Sequence, residues 1–189
     1  NKGKIEDFKK LTEDMDIEVV TILDNIDIPD VVEDGDTFEE NSMKKAKEIA
    51  DYTGIVTISD DSGLCVDYLD GGPGVYSARF AGENASDRER NEKLLEVMKD
   101  VKKEDRQAHF VSVVSIAFPN GEIHSFRGEV NGEILFELRG SNGFGYNPLF
   151  YSYELKKSFG EADDEERKKV SHRARAFRKL IDSGLLKEK

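Results

Sequence analysis

Apolar positions along the chain fall into helical and alternating patterns, and the two periods divide it into elements. Ile5, Phe8 and Met15 lie on one helical stripe, which predicts a helix starting almost at the first residue. Ile17 to Leu23 (IEVVTIL) reads as a strand, followed by an acidic connection from Asp24 to Gly35 that contains Pro29. Thr37 with Glu40 makes a capping-box pattern, and Phe38, Met43, Ala46, Ile49 and Ala50 supply the apolar side of a helix that Gly54 closes. Ile55 to Ser59 (IVTIS) is apolar and β-branched, the pattern of a buried strand, and it is expected to run out at Asp60, Asp61, Ser62 and Gly63. A tight turn follows at Gly71, Gly72, Pro73 and Gly74. Ser86 and Glu89 cap the next helix, which carries Leu94, Leu95, Val97 and Met98 and ends in the lysine-rich stretch Lys99 to Lys103. Gln107 to Phe118 is a strand, Pro119-Asn120-Gly121 a hairpin turn, and Glu122 to Val130 the antiparallel return. A break at Asn131-Gly132 leads into a further strand, Glu133 to Leu138. Glu161 to Lys187 is charged and helical, with a break before Ser171, which caps a last helix through Ala176, Phe177, Leu180 and Ile181 to Gly184.

At 189 residues with no internal repeat or low-complexity linker, positions 1–189 are expected to form one folding unit. The net charge of −12 argues against nonspecific attachment to nucleic acid or to an anionic membrane, because both need a basic footprint. A phosphate ligand therefore has to find a local cluster of cations. The single cysteine, Cys65, forbids an internal disulfide and reads as a small buried side chain. With no apolar stretch of spanning length and no leader pattern, the protein is expected to be soluble and cytoplasmic. The sequence opens at Asn1 without an initiator Met, so further chain upstream is expected.

Two stretches carry candidate chemistry. Asp60 and Asp61 stand where the strand is expected to end, a place where α/β sheets gather ligands, although Asp-Asp-Ser-Gly is equally a turn sequence. Adjacent residues on an extended chain point to opposite faces, which gives the two aspartates different jobs unless the turn has begun. Asn41 and Lys45 are four apart on their helix and share a face. The second stretch is Arg139 to Phe150, where Gly140, Gly143 and Gly145 surround Phe144 and Tyr146. It reads either as a glycine-rich β-bulge or as a loop that brings backbone and an aromatic face close to a ligand. No Rossmann or P-loop fingerprint occurs, nor any EF-hand or zinc spacing. Glu33, Asp60 and Asp61 with scattered cations suit a magnesium nucleotide, since Mg²⁺ takes one or two carboxylates plus phosphate oxygens.

Six blocks in order extend this picture: Asn1-Lys2-Gly3-Lys4; Glu33-Asp34-Gly35 with Thr37-Phe38-Glu39-Glu40-Asn41; Asp60-Asp61-Ser62-Gly63-Leu64; Gly74-Val75-Tyr76-Ser77-Ala78-Arg79; Gly143-Phe144-Gly145-Tyr146; and Ser171-His172-Arg173. Together they resemble the inosine/xanthosine triphosphate pyrophosphatase family over essentially the whole chain. The resemblance implies an elongated, two-lobed α/β fold with a long mixed central sheet flanked by helices, a site in the cleft between the lobes, and a homodimer. It also implies Mg²⁺-dependent hydrolysis of inosine, deoxyinosine and xanthosine triphosphates to monophosphate and pyrophosphate, which clears deaminated purines from the nucleotide pool. By position, Asn1 and Lys4 belong to the opening substrate loop, Lys45 to a phosphate-contacting lysine, Asp61 to the acidic catalytic residue and Ser62 to a substrate contact. Phe144, Gly145, Tyr146 and Asn147 match the base-binding loop, and His172 and Arg173 match a further base and substrate contact. Glu33 resembles the upstream metal-binding glutamate, with Asp61 or Asp60 as its partner.

The chain departs from that pattern in three places. The family's first strand is absent from the sequence, Asn147 stands where Asp is usual, and Arg167 stands where a Lys is usual. Lys4, Lys45 and Arg167 remain as cations for a triphosphate. Two other readings are a purine-nucleotide-binding module without turnover and the related Maf-like pyrophosphatases.

Overall fold

The computed structural model describes residues 2–16, 18–21 and 28–186. Among the described residues five strands follow one another in both sequence and space: β1 (Thr57–Val66), β2 (Gln107–Ala117), β3 (Ile123–Ile134), β4 (Phe150–Ser152) and β5 (Lys157–Ser158). Among the described residues every pairing is antiparallel, where the resemblance led to a mixed sheet. The described residues also form five α-helices: α1 (Lys2–Thr12), α2 (Phe38–Thr53), α3 (Asp87–Met98), α4 (Asp164–Val170) and α5 (His172–Asp182).

The helix boundaries follow local chemistry. The Thr37 side chain accepts the Glu40 N–H at the start of α2, and Gly54 closes that helix at φ 69°. Ser86 and Glu89 form a reciprocal capping box on α3, while Ser171 accepts the Ala174 N–H at the start of α5. At α2 the Glu40 carboxylate reaches one residue further back than a capping box would, to the Asp36 N–H at 2.8 Å.

The sheet differs from the expected one in three places. β1 does not stop at Asp60 but continues through Asp60, Asp61, Ser62 and Gly63 to Val66, paired with β2 throughout. Both the strand-end and the turn readings of Asp-Asp-Ser-Gly are therefore overturned. β3 likewise runs through Asn131-Gly132 and ends at Ile134, so the expected break and the separate strand Glu133 to Leu138 are not formed. Gly132 is there for packing, since a Cβ at that position would collide with the Tyr151 carbonyl of the neighbouring strand. Finally, residues 18–21 carry no regular structure, and the rest of the expected strand Ile17 to Leu23 includes positions outside the described residues.

Helices cover both faces of the sheet. Phe38 packs with Cys65, Val111 and Val113, and Ala46 and Ala50 pack on Ala117, which places α2 on one face. Ala176, Phe177 and Leu180 of α5 pack on Val114, Ile116 and Phe118 on the other, and Phe8 of α1 meets Phe177 edge to face at 5.5 Å. A third cluster joins Leu94 and Met98 of α3 to Phe110, Tyr146, Phe150 and Phe159. Cys65 is buried, and burial pushes its thiol up to about 11. No helix among the described residues is long and apolar enough to cross a membrane.

Candidate active site

Register explains how two consecutive aspartates serve one site from opposite sides. Asp60 stands opposite Val114, on the α5 face, and Asp61 opposite Val113, on the α2 face. The different jobs inferred from strand alternation accordingly have different neighbours. Asp60 is 7% exposed and Asp61 6%, and both line a cavity of about 800 Å³.

Asp60 is surrounded by donors. Lys4 Nζ lies 3.2 Å from Oδ1, while Arg173 Nε and the Ser112 hydroxyl each lie 3.3 Å from Oδ2. Burial alone would raise its pKa, but the charges of Lys4, Arg173 and Lys45 outweigh burial and hold the carboxyl well below the usual range. Asp61 accepts the Asn41 amide at 3.1 Å on Oδ2 and the Ser62 N–H at 2.9 Å on Oδ1. Here burial prevails, the Glu33 charge adds to it, and the carboxyl is shifted upward against the pull of Lys4 and Lys45. One strand thus presents an ionised aspartate locked among cations beside one with raised proton affinity.

The remaining cations are supplied by α2 and α5. Lys45 is ion-paired with Glu33 and donates to the Asp60 carbonyl at 3.2 Å. Arg173 is a three-way clamp, reaching Asp7 of α1 at 2.6 Å, Asp60, and the Ser62 hydroxyl at 3.1 Å. Burial, followed by the Arg173 charge, drives the His172 pKa far down, so its ring is neutral and stacks on Phe110 at 4.8 Å. Its Nδ1 is buried without a hydrogen-bond partner.

The glycine-rich segment forms the far wall. Gly143 and Gly145 have φ of 74° and 63°, the left-handed region that glycine enters freely. The Phe144 ring lies against α1, so close that a Cβ on Gly3 would be 2.5 Å from it, and Arg173 Cζ is 5.8 Å from its centroid. Tyr146 is buried, and its hydroxyl donates to the Ser77 carbonyl at 2.7 Å, which makes it an anchor for the loop. The Asn147 carbonyl accepts the Gly160 N–H at 2.9 Å. Arg167 donates to the Phe159 carbonyl at 3.1 Å and pairs with Asp164.

Lys4, Glu33, Lys45, Asp60, Asp61, Ser62, Phe144, Gly145, Tyr146, Asn147, Arg167, His172 and Arg173 therefore line a single cavity, although they come from segments spread over most of the chain. Asn1 lies outside the described residues. Sequence reasoning missed Asp7, Ser77, Ser112, Asp87 and Asn91. Asp7 had a signal, since it stands three residues after Lys4 on the same helical face; the others are set by long-range packing.

Among the described residues no group of three His, Cys, Asp or Glu side chains is arranged to hold a metal ion. The donor set here is smaller. Asp61 and Glu33 are close enough for the charge of one to raise the proton affinity of the other, and two hard oxygen donors suit a divalent cation that takes the rest of its shell from phosphate and water. Asp60, with both oxygens engaged by cationic partners, is the poorer ligand.

Comparison with known proteins places the chain in a family. A protein of Desulforamulus reducens named dITP/XTP pyrophosphatase is 46% identical over 96% of this chain and 90% of its own length. The solved structure of the Staphylococcus aureus Ham1 protein is 42% identical with a TM-score of 0.83, covering 100% of this chain and 96% of that one. A HAM1 protein structure from Coxiella burnetii is 36% identical with a TM-score of 0.88, covering 100% and 95%. The Ham1 family model matches residues 1–183, and the chain belongs to the Ham1 family.

Proposed function

We propose that the protein hydrolyses non-canonical purine nucleoside triphosphates, those of inosine, deoxyinosine and xanthosine, to the monophosphate and pyrophosphate. The observation that carries this reading is Asp61, a buried carboxylate of raised proton affinity in a cation-lined cavity, within a family whose relatives bear the name dITP/XTP pyrophosphatase. Relatives that bear an enzyme's name favour turnover over a binding module.

In this reading Asp61 orients the attacking water and takes its proton as the new oxygen bond to the α-phosphorus forms and the bond to pyrophosphate breaks. Asp61 and Glu33 would hold Mg²⁺ together with phosphate oxygens, and the ion would supply positive charge against the triphosphate. Lys4 and Lys45 balance the charge of the departing pyrophosphate. Asp60 keeps Lys4 and Arg173 in place, while Phe144 stacks on the purine. Stacking gives affinity without discrimination, so selectivity falls to polar groups near the base, His172, Arg173 and Asn147 among them.

The test is pyrophosphate release from inosine, xanthosine, adenosine and guanosine triphosphates with Mg²⁺, in the parent protein and in Asp61→Asn. Release confined to the first two, with kcat lowered about 10³-fold in the variant, is expected for loss of a general base. Saturable binding with no release from any of the four would return the protein to the binding-module reading.

A further inference from the structure

Helix α3 borders the cavity through Asp87 and Arg90, and two of its side chains hold the peptide groups of the base loop. Gly145 N–H donates to Asp87 Oδ2 at 2.8 Å, and Gly145 C=O accepts from Asn91 Nδ2 at 2.9 Å. Both polar groups of one glycine are thus held by one helix, 58 and 54 residues away in sequence. Asn91 is buried, and its Nδ2 also donates to the Asp87 carbonyl at 2.8 Å, which leaves its Oδ1 buried without a partner. That orphan oxygen shows the orientation is set by the two carbonyls. Asp87 is held in turn, because its Oδ1 pairs with Arg90, whose Nη1 donates to the Ala78 and Ala85 carbonyls at 2.7 and 2.6 Å.

Helix capping does not account for Asp87. Ser86 and Glu89 already close the start of α3 with a complete capping box, and Asp87 Oδ2 points away from its own helix to the loop. Space does not require glycine at 145 either, since a Cβ there would meet nothing within 4 Å. What must be maintained is the backbone conformation at φ 63°, beside the ring of Phe144.

We propose that Asp87 and Asn91 are positioning residues of the base loop: by holding both peptide groups of Gly145 they fix the placement of Phe144, and with it purine affinity, and of Asn147 two residues further on, and with it base preference. The inference rests on the pyrophosphatase reading above. Asp87 and Asn91 act on the substrate through the loop and have no part in water activation at Asp61, so their loss is felt in KM.

Pyrophosphate release measured on the parent protein, Asp87→Ala, Asn91→Asp, Asp87→Asn and Ser86→Ala tests this. Asp87→Ala and Asn91→Asp each raise KM for inosine triphosphate about tenfold, the effect of losing one hydrogen bond to Gly145, with kcat within about twofold. Both also narrow the preference for inosine over guanosine triphosphate. Asp87→Asn keeps an acceptor for the Gly145 N–H and restores KM to within about twofold of the parent. Ser86→Ala weakens the helix start and lowers the thermal midpoint while leaving KM unchanged. Unaltered KM and base preference in Asp87→Ala and Asn91→Asp, or an equal KM rise in Ser86→Ala, overturns the proposal. No release by the parent protein is a failure of the functional reading itself, and the positioning role falls with it.

Discussion

Asp60 and Asp61 share one strand and one cavity, yet their surroundings drive them to opposite electrostatic states. Removing the carboxylate of Asp60 leaves the buried guanidinium of Arg173 without one of its two anions, so Asp60→Asn is expected to cost about 3 kcal/mol of stability. Asp61→Asn removes a carboxylate that burial already disfavours, and is expected to cost under about 1 kcal/mol while lowering kcat about 10³-fold. Urea denaturation of the two variants separates these outcomes, and equal losses would contradict the assignment. Acidification separates the residues again. Asp60 has a depressed folded pKa, so its contribution to stability is present above the unfolded value of about 3.9 and is lost only as pH falls through the lower folded value. Asp61 has a raised one, so it protonates first, and this favours the folded state as it stops catalysis. In a pH titration kcat/KM therefore falls before the acid unfolding transition begins. The sequence pointed to both aspartates but misread the strand they sit on. Two consecutive carboxylates normally end a buried strand, and what permits them here, Lys4, Ser112 and Arg173 on one side and Asn41 on the other, comes from remote segments that no local pattern displays.

At the scale of elements, the signals that were readable were those written in a few adjacent residues, such as Thr37 with Gly54, Ser86 with Glu89, and Ser171. Elements held by distant partners were not. The clearest example is Arg106, 1% exposed, which joins the end of α3 to the end of β3. Its guanidinium donates to the Met98, Val101, Ile134 and Leu135 carbonyls at 2.7 to 3.1 Å and lies over the Phe136 ring at 4.0 Å. Phe136 is 58% exposed, and this stacking gives that surface aromatic a role. A lysine cannot reproduce a planar fork that serves four acceptors, so Arg106→Lys is expected to lose about 3 kcal/mol. Chemical denaturation reads that loss directly, and kcat of the folded fraction is expected to stay at the parent value.

Over the whole molecule, the cavity is closed by a helix with little core of its own. Only Thr12 of α1 is buried, and the helix is held by the Phe8–Phe177 contact and by ion pairs from Lys4, Asp7 and Lys10 to Asp60, Arg173 and Asp164. The Lys10–Asp164 pair is half exposed and each of the other two has a partly exposed partner, so they hold α1 less firmly than packing holds β2, whose side chains are buried from Phe110 to Ala117. Amide hydrogen exchange is expected to find α1 at least about 100-fold less protected than β2, because α1 can open without global unfolding. Equal protection would mean that the ion pairs bind the helix into the global fold. The lone thiol offers a separate use. Cys65 is enclosed beneath α2, and with its pKa near 11 only about one molecule in ten thousand carries a thiolate there at neutral pH. The native protein is thus expected to react slowly with maleimide dyes, and a cysteine introduced on the outer side of α1 is expected to take a single fluorophore without any need to remove Cys65.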